Sequence, residues 1–518
     1  MSFIVYLIVF AAIFAAASFL AVLSYGHFAR RARAPKSYAL ATHPPVTLLD
    51  TEIGPRVEAQ QGKSGLTMIS ENLDAFAIRA LAARTAGRSL DLMYYYWKPD
   101  LTGRLLTHEI VQAADRGVRV RLLIDDINTR GRDRAYLALD THPNISVRLF
   151  NPSRARDAGL RRGIEMVLRA FSTTRRMHNK AWIADGRLAI VGGRNIGDEY
   201  FDAGEKSNFR DIDLTMVGPV VGQTEKVFDA FWNATVSMPI TALAVRRRGK
   251  LRQLRRSLLS LSISANAKPY LERVLERISL PAMLDANLTT HWTGDARIVF
   301  DPPEKAIGRG SENWIMSTLT PILASADRSV EIVSPYFVPG NEGVSRLTRM
   351  TKAGIDVAVL TNSLAANDVA AVHGGYAPYR SALLAGGVRL YELQPFLNKS
   401  DMSLFGSRGA SLHTKAFTVD DDTGFVGSFN FDPRSISLNT EMGVLFVAHG
   451  LVGEMKDLFA EETGPQMSYR VHLTHDGALR WEGEAEGVMT TYDREPKAGL
   501  TRRVIAAIVT WLPIESQL

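Results

Sequence analysis

The stretch His178-Asn-Lys-Ala-Trp-Ile-Ala-Asp185, continuing to Gly192-Gly-Arg-Asn195, returns 235 positions later as His413-Thr-Lys-Ala-Phe-Thr-Val-Asp420, continuing to Gly427-Ser-Phe-Asn430. Both copies follow H-x-K-x4-D-x6-G-x-x-N, and they coincide at seven of eighteen aligned positions. A self-match of this density marks an internal repeat. The flanks repeat too. SLDLMYYYW (89–97), TGRLLTHEIVQAADRG (102–117) and VRVRLLID (118–125) correspond to SVEIVSPYF (329–337), EGVSRLTRMTKAG (342–354) and IDVAVLT (355–361), each set reading strand, helix, strand. Short β-branched runs alternating with amphipathic helical stretches predict an α/β protein with helices on both faces of its sheets. The expected architecture is two α-β-α sandwich halves packed pseudo-symmetrically, over 61–240 and 291–465. A basic segment at 241–290 lies between them, and a C-terminal segment at 466–518 follows.

At 518 residues, 46% of them hydrophobic and 22% charged, the chain is long enough for two cores and too apolar for wholesale disorder. It holds no cysteine, which excludes disulfide frameworks, thiolate nucleophiles and Cys-ligated metal sites. Its net charge of +7 suits an anionic partner, either acidic lipid or nucleic acid.

Ahead of the repeats, Phe3 to Tyr25 are 23 consecutive uncharged, mostly apolar residues. About 20 helical residues cross a bilayer core, so residues 1–28 are expected to form a transmembrane anchor rather than a cleaved signal, with 29–60 as the juxtamembrane segment. Arg30, Arg31, Arg33 and Lys36 follow directly and place the body on the cytoplasmic side by the positive-inside rule. Arg246 to Arg256 carry seven cations in eleven residues, read as a solvated face or as a contact to anionic lipid. Near the C-terminus VIAAIVTWLPI is too short to span; it either lies on the membrane or docks on the protein's own core.

The repeated motif is rich in donors. In an extended segment His178 and Lys180, and likewise His413 and Lys415, stand on one face. A lysine beside each histidine repels a divalent metal and favours an oxyanion, so no metal is expected. Fixed Lys180, Lys415, Asn195, Asn430 and Ser428 can stabilise phosphate oxygens, while two imidazoles complete a double displacement. One attacks phosphorus; the other protonates the leaving alkoxide and then accepts a proton from the incoming alcohol or water. The residues alone leave open which histidine does which. Each imidazole needs an acceptor on its second nitrogen. Asp211 and Glu441 are the candidates, with Asp213 competing in the first half. Asp185 and Asp420 belong to the motif's catalytic set by pattern, although their position at the strand end suits bracing of a turn. His373 is a candidate substrate-pocket residue.

The duplicated pattern resembles the phospholipase D superfamily over both halves, and RMHNKAWIADGRLAIVGGRNIGDEYF with SLHTKAFTVDDDTGFVGSFNFDPRSISLNTEMG is similar to bacterial cardiolipin synthases of the C-type branch, as is the terminal LPIE. The resemblance implies two phospholipase D-like halves and transfer of a phosphatidyl group onto phosphatidylglycerol. The donor would be phosphatidylglycerol or phosphatidylethanolamine, with no cofactor. It assigns His178 as nucleophile and His413 as acid/base, and implies an inner-membrane location and an accessory protein partner. Gly193 departs from the serine common in the family, so the first half lacks the hydroxyl that Ser428 offers. A phospholipase D hydrolysing phospholipids to phosphatidic acid is the nearest rival. A nuclease is the remote one, because superfamily nucleases usually carry one copy per chain; nucleic acid is therefore not the expected partner. A scaffold with a decayed site would have had to spare every motif residue in both copies.

Overall fold

The computed structural model describes residues 2–129, 131–156, 159–169, 173–205, 207–244, 250–277, 289–395, 410–511 and 515–517. Two sheets form its frame. The first takes β1 (Ser64–Ile69), β2 (Ser89–Tyr94), β3 (Arg119–Asp125), β4 (Ile145–Phe150), β5 (Ala181–Ala184), β6 (Leu188–Gly192), β8 (Asp213–Val217), β9 (Ser237–Pro239) and β10 (His291–Thr293). The second takes β11 (Ala296–Phe300), β12 (Ser329–Val333), β13 (Asp356–Asn362), β14 (Arg389–Leu393), β16 (Ala416–Val419), β17 (Thr423–Gly427), β18 (Met442–Val447), β19 (Ser468–Leu473), β20 (Leu479–Ala485) and β21 (Val488–Tyr492). The short β7 (Asn208–Arg210) and β15 (Ala410–Leu412) pair with each other across the halves.

The duplication is plain in the strand order. The first sheet runs β1-β8-β6-β5-β2-β3-β4-β9 and the second β11-β18-β17-β16-β12-β13-β14-β19, with β10 added at one edge and β20-β21 at another. In each, three parallel strands (β2-β3-β4; β12-β13-β14) adjoin an antiparallel meander that starts from the motif strand. β2 is buried at every position, as befits a strand with helices over both faces.

The helices used below are α1 (Ser2–Arg31), α2 (Leu101–Asp115), α3 (Gly159–Leu168), α4 (Pro219–Trp232), α5 (Leu251–Ser262), α6 (Ala370–Tyr376), α7 (Pro433–Ser437), α8 (His449–Glu462) and α9 (Leu500–Trp511). Asp100 caps α2 by accepting from the Gly103 amide, and one apolar side of that helix is buried on the first sheet. One core joins the halves: Leu66, Val191 and Met216 of the first sheet pack with Val426, Met442 and Phe446 of the second, over Phe228 and Phe231 of α4 and Leu451 and Met455 of α8. α1 spans 30 residues, about 45 Å at 1.5 Å per residue, and presents Phe3, Ile4, Phe10 and Phe19 outward. It is the one helix among the described residues long and apolar enough to cross a bilayer.

Two boundaries differ from the sequence expectation. His291–Thr293, expected to open the second half, adds to the free edge of β1 in the first sheet. Residues 468–492, expected in a separate C-terminal segment, extend the second sheet, because the edge of β14 offers unpaired backbone groups to β19. Of the basic run, 246–249 lie outside the described residues. The remainder forms α5, whose Leu258 is buried, with Arg255 pairing with Asp115 and Arg104 donating to Ser257. In the terminal LPIE, residues 512–514 also lie outside the described residues.

Candidate active site

The motif segments enter at equivalent places, just before β5 and β16, and the two halves hold each other's histidines. The backbone amide of His178 donates to the Thr440 carbonyl (2.9 Å), and that of His413 to the Arg210 carbonyl (2.7 Å). The side chains follow the same exchange. His178 Nδ1 lies 2.9 Å from Glu441 Oε2 and 3.1 Å from the Ser428 carbonyl oxygen, both in the second half. His413 Nδ1 lies 2.6 Å from Asp211 Oδ2 in the first. A carbonyl can only accept, so Nδ1 of His178 carries the proton and Nε2 keeps its lone pair. Nε2 of His178 has no hydrogen-bond partner among the described residues, whereas Nε2 of His413 is 3.4 Å from the Tyr200 hydroxyl.

The lysines are buried with the histidines, at 1% exposure each. Lys180 Nζ donates to the His178 carbonyl (2.5 Å), and Lys415 Nζ donates to the His413 carbonyl while lying 3.1 Å from that ring's Nδ1. Burial, with the opposing charge of Glu441 too weak to cancel it, lowers Lys180 to about 7; burial likewise lowers Lys415 to about 8. Burial also brings His178 down to about 4. His413 falls well below its ordinary value, through burial and the charges of Lys415 and Lys180. Both shifts favour the neutral imidazole.

The two orienting carboxylates are held differently. Glu441 Oε2 accepts from Ser428 Oγ (2.5 Å) as well as from His178, and Oε1 accepts from Ser435 Oγ (3.0 Å). Burial works against ionisation of Glu441, but His178, Lys180 and the Ser428 hydroxyl together hold its pKa below the ordinary value. Asp211 has fewer donors, His413 and the Ile212 amide, and burial raises its pKa. Ser428 was expected to offer its hydroxyl to phosphate; instead that hydroxyl is committed to Glu441. Gly193 has a matching reason. A Cβ there would lie 2.4 Å from Asp211 Oδ1 and 2.6 Å from Oδ2, so the shorter Asp211 occupies the room a serine would need.

Asp213, the competing acceptor, is engaged elsewhere: it pairs with Arg79 (2.8 Å) and Arg194 (3.3 Å) inside the first half. Asp185 and Asp420 brace turns. Each sits in the left-handed region, at φ +55° and +53°, and its carboxylate accepts three consecutive amides, those of Gly87, Arg88 and Ser89 for Asp185 and those of Asp327, Arg328 and Ser329 for Asp420. Five extended residues beyond the lysine put each about 16 Å from it, too far to touch a phosphate held there. Asn195 donates to the Tyr200 hydroxyl (3.1 Å), and the buried Oδ1 of Asn430 has no hydrogen-bond partner among the described residues.

His373 has no recorded contact with either motif histidine among the described residues. It is buried, bonded to Glu495 (3.2 Å), and edge-on to Tyr376. His373, Glu392 and Glu495 bring their ligand atoms within 4.8 Å of one another, but Arg380 donates to both carboxylates, and its guanidinium takes the place a cation would need. Residues the sequence reading passed over are Tyr95, edge-on to the His178 ring at 5.1 Å, and Tyr200, edge-on to the His413 ring at 5.1 Å. Their signal was present: a tyrosine run ends β2, the strand that pairs with β5, and Tyr200 follows Asn195 by five positions.

The family described as cardiolipin synthase, PLD-like domain, matches residues 81–232 and 319–463, one stretch in each half. The chain belongs to this family. Among the cardiolipin synthases, it is 38% identical over 472 residues to cardiolipin synthase C of Escherichia coli (strain K12), covering 90% of this chain and 99% of that one. It is 23% identical over 382 residues to a cardiolipin synthase of Staphylococcus aureus (strain Mu50), covering 73% and 63% of the two chains. The fold is shared with phosphatidylserine synthase of Haemophilus influenzae, at a TM-score of 0.54 and 13% identity, over 82% of this chain and 92% of that one.

Proposed function

We propose that this member of the cardiolipin synthase family transfers a phosphatidyl group onto phosphatidylglycerol, by double displacement at the seam between its halves. The observation that carries the reading is the exchange of orienting carboxylates: Glu441 on His178 and Asp211 on His413. In the first step Nε2 of His178 attacks the donor phosphorus, the bond to the headgroup oxygen breaks, and His413, protonated once the anion is bound, gives that oxygen its proton. Glu441 stabilises the positive charge that grows on His178. In the second step a hydroxyl of phosphatidylglycerol passes its proton to His413 and attacks phosphorus, the N–P bond breaks, and both rings return to their starting states. With phosphatidylglycerol as donor the by-product is glycerol; with phosphatidylethanolamine it is ethanolamine. Lys180 and Lys415 offset the charge on the phosphoryl oxygens. The free Nε2 of His178 and the tyrosine hydroxyl beside that of His413 support giving the nucleophile's role to the first ring.

Arg30 and Arg31 in the last turn of α1, with Arg33 and Lys36 beyond it, support a body on the cytoplasmic face. An accessory protein enters this reading only through the resemblance. The test is the purified full chain in mixed micelles with isotopically distinct phosphatidylglycerol and phosphatidylethanolamine, read by mass spectrometry with and without added lysate. Labelled cardiolipin is expected, its labels naming the donor. Phosphatidic acid alone under every donor mixture would replace the transferase reading with the hydrolase.

A further inference from the structure

Strand direction divides the body into two poles. β2, β3 and β4 run towards the histidines, as do β12, β13 and β14, while the turns at Asp185 and Asp420 lie at the far pole. α1 leaves the body at the histidine pole. Its Tyr25 hydroxyl donates to the carbonyl of Pro152, just past the end of β4; Phe28 lies under the Arg154 guanidinium, and the Tyr25 ring under that of Arg169. From there the chain descends along the first sheet, its Pro35, Ser37 and Tyr38 carbonyls accepting from Arg148, Arg121 and Arg119.

Beside the exit of α1 lies α3, and it is built inside out for a helix in water. Its polar residues turn inward: Glu165 accepts from the Arg154 and Ala155 amides and from Arg169, and Arg162 lies 3.5 Å from buried Asp126. Leu160, Ile164 and Val167, spaced as one helical face, are 79%, 52% and 58% exposed. α9, on the second half, is built the same way. Arg502 and Arg503 donate inward to the Leu364 and Glu495 carbonyls, and Ala506 and Val509 are buried, while Leu500, Val504, Ile508 and Trp511 face out. Both helices belong to the histidine pole: α3 leads into His178, and α9 packs on α6, which follows β13. Arg434 of α7 ties their surroundings together, donating to Thr174 beyond α3 and to Gln517 beyond α9.

We infer that the histidine pole rests on the lipid bilayer, seated by the outward apolar faces of α3 and α9 on either side of the seam, so that lipids reach the histidines from the membrane surface. A bilayer, rather than a second copy of the chain or another protein, is the occupant because the membrane-spanning α1 emerges at this same pole, next to α3. The inference needs α1 to span, and it holds whichever lipid is transferred. It also resolves the two sequence readings of the C-terminal apolar stretch: the helix docks by one face and offers the other to lipid.

The chain has no native cysteine, so single labels can be placed without background. The test uses the full chain in lipid nanodiscs of phosphatidylglycerol and phosphatidylethanolamine, carrying a fluorophore at Ile164→Cys, at Ile508→Cys, or at His449→Cys on the far pole. Each is exposed to iodide in water and to nitroxide on the lipid acyl chains. Labels at 164 and 508 are expected to be quenched by the lipid nitroxide and at least about threefold less by iodide than the label at 449. Iodide quenching at either position equal to that at 449 overturns the inference. So does protection from both quenchers, which would put a protein on the face.

Discussion

The same eighteen-residue motif is built into two different cradles. In the second half Phe429 lies in an apolar cluster and Ser428 steadies a long carboxylate, Glu441. In the first half Arg194 takes the place of Phe429, bonded to Asp213 and to the Ile69 and Ser70 carbonyls, and Gly193 makes room for a short carboxylate, Asp211. Each carboxylate serves the histidine of the other half. The repeat therefore yields two unequal imidazole environments, and neither half holds a complete site by itself.

Removing the imidazoles strains this comparison most. His178→Ala should lower turnover at least about 10⁴-fold, since the nucleophile is gone. His413→Ala should lose about 10²–10⁴-fold with natural lipid, and much less with a nitrophenol leaving group that needs no proton. Equal losses with both donors would erase the assigned difference. Gly193→Ser is the next test: its Cβ would push on Asp211, and overpacking of about 1–3 kcal/mol expressed as misorientation of His413 lowers turnover about 10- to 100-fold. The counterpart Ser428→Gly frees Glu441 without a clash, and should be milder in steady-state assays.

The lysines predict the pH dependence. Lys180, lowered to about 7, and Lys415, lowered to about 8, lose their positive charge as pH rises through those values, and phosphate stabilisation goes with it. kcat/KM should fall by up to about tenfold per pH unit above pH ~8. His178, lowered to about 4, stays neutral and nucleophilic from pH ~5 upward. A profile flat through pH ~9 would contradict the buried ammoniums. The smallest effect on chemistry belongs to the turn braces. Asp185→Ala removes the acceptor of three amides and should cost about 1–3 kcal/mol of stability, read by denaturant unfolding, with turnover of the folded enzyme within about threefold.

Much of this was legible in the sequence, because the motif is a local pattern whose spacing survives in the fold. His178, Lys180, His413 and Lys415, the repeated strand–helix–strand units and the apolar first helix all follow from short-range signals. What escaped depends on contacts between distant segments. The pairing of His178 with Glu441 crosses 263 positions, and no local pattern records it. Asp211 and Asp213 lie on one short stretch and differ only in which buried partner each meets, His413 or Arg79. His373 read as a candidate pocket residue, yet it lies within α6 and is bonded to Glu495, far along the chain. The outward face of α3 was legible in principle as Leu160, Ile164 and Val167 at helical spacing, but its inverted polarity shows only once Glu165 and Arg169 are seen turned inward.

The central claim is that the orienting carboxylates are exchanged between halves, and rapid-quench measurement of the phosphoenzyme tests it most directly. With a phosphatidyl nitrophenol donor, Glu441→Gln should slow formation of phosphohistidine on His178 by about 10²-fold or more, while Asp211→Asn forms it at near wild-type rate and stalls only with natural lipid. Slow phosphoenzyme formation in Asp211→Asn together with a normal burst in Glu441→Gln would mean that each carboxylate serves its own half, and would contradict the account.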